Sequence, residues 1–545
     1  MPLLFPFIDS ENLYQLPHIV IVFLQLIHTT YCTVINLVFN FYLFISRKKS
    51  LPKIENELLF IPASECARMI RNKEISSYEL VSAYIERQKQ VNSYINAIVM
   101  ERYIDALEDA KKIDEFLSDI QPYTEEYDKI AEEKPLLGIP FTLKNSIKCE
   151  EFSPISGVVC RNNCNVKADI LCKGIKRWKE AGGILIASTN VPELCMWVET
   201  NNKVWGRTNN PYDIRRSPGG SSGGEGAIIG SGGSLFGAGS DIAGSIRIPA
   251  SHCGIYGYKN TPKSIDVTGH LPEPDEEIMN MIAQAPMARY ASDLKLISKL
   301  YMSVEERTFL RMDDEIDINS LNFYYIEDFS HMEAQPVTND CLKGVRSVVK
   351  MLEDFNKFPI NICFDEFKHI NALWQATLQH YTNDNVTGIS GYMNNFSNSK
   401  VPFLKESLKN IFNFKSDHDL GVMLWLYEFG NIRFLKPNLK KKYMEMREKI
   451  IKKINDILSD NGILIVPAYP TVAPPHNHQL FLRMDKSYTE IFNVLGLPVI
   501  TCPIFLNSSG IPVCVQIVAG KNQDRLLFTF AEIIEKKFGG WKEPK

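Results

Sequence analysis

Neither sign of charge dominates this chain. Its 60 lysines and arginines stand against 64 aspartates and glutamates, a net charge of -4 with a pI near 6.3. That balance provides no global basic field for neutralising phosphates, so no nucleic-acid partner is expected. Among its 12 cysteines no Cys-x-x-Cys occurs. Cys160 and Cys164 form the one close pair, at a spacing that suits neither a zinc ribbon nor a redox site, and the thiols read as mostly buried. No His, Cys or Asp spacing calls for a metal, and no cofactor is expected. The glycine-rich centre is not followed by Gly-Lys-Ser or Gly-Lys-Thr, which excludes a phosphate loop. After residue 60 no Pro/Ser-rich linker or charged tract separates folding units. No Lys or Arg precedes the first apolar segment and no small-x-small site follows it, which argues against a cleaved signal peptide. The sequons at Asn385, Asn395 and Asn507 are expected by chance in an Asn-rich chain and do not establish a luminal location.

What is present is ample apolar material. With 545 residues, 45% hydrophobic and 23% charged, the chain can bury a large core. One catalytic domain over residues 51–545 is the simplest organisation, preceded by a membrane anchor and basic flank over residues 1–50. From His18 to Ile45 there is no charged residue; Arg47, Lys48, Lys49 and Lys53 follow at once. A bilayer-spanning helix needs about 20 mostly apolar residues, so a single-pass signal anchor is expected, with the membrane as partner. His28, Thr29, Thr30, Asn36 and Asn40 weaken the span and leave a tilted or interfacial helix open. The basic cluster places the body on the cytoplasmic side of an intracellular membrane such as the endoplasmic reticulum.

Periodicity predicts an α/β fold. Ser64 and Ser77 each precede a helical pattern. A further helix is expected over 105–116, a core strand over 135–145 ending near Lys144, a helix over 170–181, and a buried strand in GGILIASTNVPE. Strand-like runs return at 462–467, 497–505 and 512–519, followed by a helix over 524–537. Strands near both ends of the body point to a single mixed sheet covered by helices. The region 302–440 is less regular. Phe403, Leu404, Leu408, Ile411, Phe412, Met423, Leu424, Trp425 and Leu426 recur at semi-helical spacing, as a pair of helices lining an acyl pocket or dipping into a membrane, or as plain core.

The functional signal lies at residues 219–257, where Ser221 and Ser245 sit among closely spaced glycines. Glycine admits positive φ and close backbone approach, which suits a loop presenting amide N–H groups to a developing oxyanion. A serine nucleophile needs a base, usually histidine. Of the ten histidines only His252, His476 and His478 fall in segments assigned to the active end of the sheet. A Ser–Lys device is the other solution, and Lys144 in GIPFTLKNS is the available lysine. It must be neutral, which burial among Ile139, Phe141, Leu143 and Ile147 favours. Position 145 is Asn, so no acid adjoins it in the chain.

These residues resemble the amidase signature enzymes. GGSSGG at Gly219–Gly224 and DIAGSIR at Asp241–Arg247 match that family's two blocks, and the resemblance extends through ELVSAYIERQKQVNSYINAIV, STNVPE, WGRTNNPYD, FNVLGLPVITCP and IPVCVQIVAG. It covers nearly the whole chain after residue 60 and implies the family's α/β fold and hydrolysis of a small-molecule amide. It also implies Ser245 as acyl nucleophile, Ser221 as bridge, Lys144 as base, and the backbone amides of Ile242, Ala243, Gly244 and Ser245 as oxyanion hole. With its apolar amino-terminal segment the chain looks like the membrane-anchored fatty-acid amide hydrolases of the family, which implies a lipid amide substrate; a homodimer is compatible. Ala243 replaces a common glycine and would be strained by about 1–2 kcal/mol if that position required positive φ. Asn260 interrupts the usual Lys-Pro-Thr. Asp241 and Arg247 are expected to pair and hold the loop.

Three alternatives remain open. A short-chain or aromatic amidase of the same family would have a small closed pocket. A lipid-binding scaffold without activity would resist a serine-directed fluorophosphonate. A nucleophile elbow around Ser221 or Ser222 lacks the apolar strand that should precede it.

Overall fold

A computed structural model describes residues 18–121, 124–162, 170–329, 333–382, 403–412, 414–427 and 435–545. Cys164, Asn385 and Asn395 lie outside the described residues. So do the side chains of Phe403 and Leu404.

The strands form as the apolar runs require. In chain order they are β1 (Ile98–Glu101), β2 (Pro140–Lys144), β3 (Ile184–Thr189), β4 (Phe236–Asp241), β5 (Tyr256–Lys259), β6 (Ala283–Ala288), β7 (Asn322–Tyr325), β8 (Ile360–Asn361), β9 (Gly462–Pro467), β10 (Val499–Leu506) and β11 (Pro512–Ala519). They join in one mixed sheet of order β1-β3-β2-β4-β6-β5-β10-β11-β9-β7-β8. β2 runs parallel to both β3 and β4. Every residue of β2, β3, β4, β6, β9 and β11 is buried, as expected for strands covered on both faces, which read as continuous apolar runs rather than alternating ones. The core on one side is built on Trp178, Phe141 and Phe236, with Phe141 stacked on Phe236 at 5.7 Å and Trp178 edge-on at 4.9 Å. Such pairs add about 0.5–1.5 kcal/mol beyond the area they bury.

The helical expectations hold with shifted ends. Ser76, not Ser77, caps Ser77–Ile95, accepting from the Glu79 amide at 2.9 Å. Ser64 lies inside Ala63–Arg71, which Pro62 precedes. The expected helix at 105–116 spans Tyr103–Ser118, the one at 170–181 narrows to Lys173–Glu180, and the last spans Asp524–Phe538. Eight of the 11 described cysteines are buried.

His18–Ile45 is one continuous helix, and Phe23–Ile45 is long and apolar enough to cross a membrane. One side of it nevertheless rests on the body. Asn36 Nδ2 donates to Gln335 Oε1 at 3.0 Å, Asn36 Oδ1 lies 2.9 Å from His478 Nε2, and Phe39 meets His478 and Phe481 edge-on. Arg215 closes the carboxyl end, donating to the carbonyls of Leu43 and Ser46. The opposite side exposes Phe23, Leu26, Leu37, Val38, Phe41 and Phe44.

Candidate active site

Parallel pairing of β2 with β4, Thr142 with Gly237 and Leu143 with Ala238, carries Lys144 and Ser240 to the same carboxyl-terminal edge. The glycines beside that edge allow backbone contact. A Cβ on Gly224 would come within 2.5 Å of the Asn190 backbone, so only glycine lets the helix Gly223–Gly230 seat against the end of β3. Ser221 stands two residues before that helix, its peptide bond with Gly220 cis.

Lys144 is fully buried, and its Nζ lies 2.8 Å from Ser221 Oγ and 2.9 Å from Ser240 Oγ. Burial holds the amine below the ordinary lysine value; the adjacent Cys195 thiol and Asp241 oppose this. Acids absent from the sequence neighbourhood of Lys144 therefore arrive in space. Glu225 lies under the site, accepting from Thr142 and Thr189 hydroxyls at 2.8 and 2.9 Å, and burial pushes its carboxyl up to about 8. Its charge, like those of Cys195 and Asp241, would favour the charged lysine, and burial outweighs them.

Ser245 follows β4 on a turn organised by Asp241. Burial would raise the Asp241 carboxyl, but the Arg247 guanidinium outweighs it and holds the group well below the usual range. Arg247, also fully buried, donates from Nε and Nη2 to Asp241 at 3.0 and 2.9 Å, and onward to Thr489 O, Gln516 and Asn493. The expected pairing is thus a structural clamp.

That clamp also engages one of the four amides expected of an oxyanion hole. The Gly244 amide donates to Asp241 Oδ1 at 2.8 Å and is already engaged, whereas Ile242, Ala243 and Ser245 line the cavity. Positive φ falls on Gly244, at +115°, and Ala243 has negative φ. The conditional strain on alanine therefore does not arise. Gly244 itself has no room for a side chain, since a Cβ would meet Thr489 Oγ1 at 2.0 Å.

Ser221, Ser240 and Ser245 border a cavity of about 180 Å³ whose other walls include Trp197, Trp374, Leu378, Trp425 and Met484. The aromatic middle region divides its labour. Trp425 faces the cavity and Val422 and Met423 pack a small core, while Leu408 and Ile411 on the preceding helix Phe403–Ile411, and Phe412 just after it, are exposed. Of the histidines singled out, His252 is buried edge-on to Tyr469 and His478 holds the amino-terminal helix. His476 approaches Glu199 at 3.9 Å. The cavity histidine is His270, missed with Ser240 by sequence reasoning. His270 Nε2 lies 2.8 Å from Ser240 Oγ. The strand ending at Asp241 was the available hint for Ser240; nothing local marks His270.

A mixed sheet carrying a buried lysine between serines at an apolar cavity defines a class. The family model described as Amidase matches residues 79–528, and the chain belongs to that family. It is 36% identical over 499 residues to Fatty-acid amide hydrolase 2-A of Danio rerio, covering 91% of this chain and 92% of the relative. It is 32% identical over 501 residues to Fatty-acid amide hydrolase 2 of Homo sapiens, with 90% and 91% covered. The solved structure of a Fatty acid amide hydrolase shares the fold at a TM-score of 0.70 and 22% identity, covering 90% of this chain and 87% of that one. The protein is an amide hydrolase.

Proposed function

We propose that this amide hydrolase cleaves fatty-acid amides to a free acid and an amine or ammonia, through an acyl-enzyme on Ser245. The observation that carries the reading is the 2.8 Å contact between the buried, pKa-depressed Lys144 and Ser221, beside Ser245 at an apolar cavity. Neutral Lys144 takes the Ser221 proton as Ser221 takes that of Ser245, and Ser245 Oγ bonds to the substrate carbonyl carbon. The amides of Ile242, Ala243 and Ser245 hold the oxyanion. Collapse of the adduct breaks the C–N bond, and the leaving amine receives the proton back through Ser221. Water, deprotonated along the same path, then releases the acid.

The aromatic lining and the relatives' names favour a long acyl chain over a short one. In membranes expressing the protein, long-chain fatty amide will be hydrolysed in preference to a short or aromatic amide, and Ser245→Ala will abolish this release together with fluorophosphonate labelling. Ser245-dependent cleavage of the short amide alone would discard the lipid substrate.

The amino-terminal helix supplies membrane attachment. Contacts with the body begin by Tyr31 and run to Ser46, whereas crossing requires about 20 residues clear of it. The docked helix therefore meets lipid with its outer apolar face, next to the basic cluster at Arg47, Lys48 and Lys49. Removal of residues 1–46 will shift the protein from the pellet to the supernatant on alkaline carbonate extraction; retention in the pellet would assign attachment to the exposed face around Phe412. Cytoplasmic placement of the body rests on that basic cluster; protection from protease in sealed membranes would overturn it.

A further inference from the structure

Lys144 has a second partner that the proton path just described does not use. Ser240 Oγ stands 2.9 Å from Nζ, and His270 Nε2 stands 2.8 Å from Ser240 Oγ. The other ring nitrogen of His270, Nδ1, lies 2.8 Å from the Pro272 carbonyl oxygen. A carbonyl only accepts, so Nδ1 carries the hydrogen, and in a neutral imidazole Nε2 is then an acceptor. Ser240 must donate its hydroxyl hydrogen to Nε2, which leaves its oxygen to accept from Lys144. A neutral amine has two hydrogens and one lone pair. With one hydrogen given to Ser240, the lone pair is left for the Ser221 hydroxyl.

We infer that His270 is a positioning residue for the amide hydrolysis, acting through Ser240: by fixing the Ser240 hydroxyl as an acceptor, it keeps the Lys144 lone pair directed at Ser221. This rests on Lys144 as the base. The fold holds His270 in place from both sides. Ile147 and His270 form an isolated antiparallel bridge, with the Leu271 amide donating to Ser146 O and the Lys148 amide to Gly269 O, each at 2.7 Å. The loop that follows the base is thereby stitched to the loop that carries the imidazole. Burial first, then the proximity of Lys144, pushes His270 down to about 4, so the neutral tautomer persists at physiological pH. Charged groups facing His270 are Lys144 and Lys148, the latter paired with Glu273. Asp241, Glu225 and the Cys195 thiol face Lys144. Ser146 Oγ, at 3.4 Å from Nε2, is the more distant of the two hydroxyls.

Without the imidazole, the Ser240 hydrogen is free to turn onto the Lys144 lone pair. There it competes with Ser221 and favours the neutral amine, which lowers the lysine's pKa and its strength as a base. The test measures kcat, KM and pH dependence of long-chain amide hydrolysis by the full-length protein, with melting curves as a check on folding. His270→Ala will lower kcat about tenfold or more at nearly constant KM and move the rising limb of the pH profile to lower pH. His270→Gln, whose carbonyl oxygen can accept from Ser240, will recover part of the loss. The double variant Ser240→Ala/His270→Ala will be no slower than Ser240→Ala alone. Unchanged kcat and pH limb in His270→Ala, or a double variant whose loss is the product of the two single losses, overturns the inference. Full activity of Lys144→Ala would instead overturn the base assignment.

Discussion

Lys144→Ala will lower kcat/KM for amide hydrolysis by about 10²–10⁴-fold, the range a positioned general base supplies, while leaving the melting temperature close to that of the parent. Among the described residues, the amine is the one non-hydroxyl side-chain group recorded in contact with Ser221 Oγ, at 2.8 Å, and no other described cavity residue can take over both that contact and the one to Ser240. Its charged form is inactive, because NH₃⁺ has no lone pair. Burial lowers its pKa from the ordinary 10.5, so activity will rise with pH from the acid side and reach half its plateau below the ordinary lysine value. A profile that is flat or has an acid optimum, or a Lys144→Ala enzyme as fast as the parent, would remove lysine from the mechanism.

Arg247→Leu will have the second large effect, on stability rather than chemistry alone. Breaking a buried ion pair by deleting one partner costs about 3–5 kcal/mol, because the remaining charge is buried and uncompensated. Here the orphan is Asp241, which also receives the Gly244 and Ile246 amides at 2.8 and 3.1 Å. The turn that presents Ser245 depends on those bonds. In the parent, Arg247 holds the Asp241 pKa below its unfolded value, so the pair's stabilisation is complete above the ordinary carboxylate range and is lost as pH falls through the depressed one. In the variant, burial raises the carboxyl instead, and stability will decline as pH increases. Thermal unfolding across pH reads this reversal directly. Equal melting temperatures in parent and variant would reduce the pair to a surface-like contact. Arg247→Lys will not rescue fully, since an ammonium cannot reproduce the fork that engages Asp241, Asn493, Gln516 and Thr489 O together.

Much of the site is legible in the chain because its information is local. Glycines at 219–224 and the DIAGSIR block mark where backbone must pass closely or turn, and the apolar runs ending near Lys144 and Thr189 mark strands buried on both faces. Those short-range constraints predict a mixed sheet, and with the resemblance of the two glycine-bearing blocks to the amidase signature family they single out Lys144, Ser221 and Ser245 as candidates. The charge-free segment from His18 to Ile45 declares a long apolar helix in the same way.

What tertiary structure decided depends on residues far apart in sequence meeting across the sheet. Register between β2 and β4 brings Ser240 to Lys144. The pairing of Ile147 with His270 then places an imidazole beside both, though 123 residues separate the bridge partners by number. Glu225 comes to lie under the lysine by helix packing, which could not be read from Asn145. Asp241 claims the Gly244 amide while Arg247 anchors its carboxylate, so which amides of the turn stay free follows from a buried charge network. Docking of the amino-terminal helix was invisible for the same reason: hydropathy reports how apolar a segment is, not which of its faces Asn36 and Phe39 press against the body. Sequence determines periodicity, propensity and the inventory of reactive groups; the distances between those groups, and hence their protonation and hydrogen-bond direction, are set when the sheet closes around them.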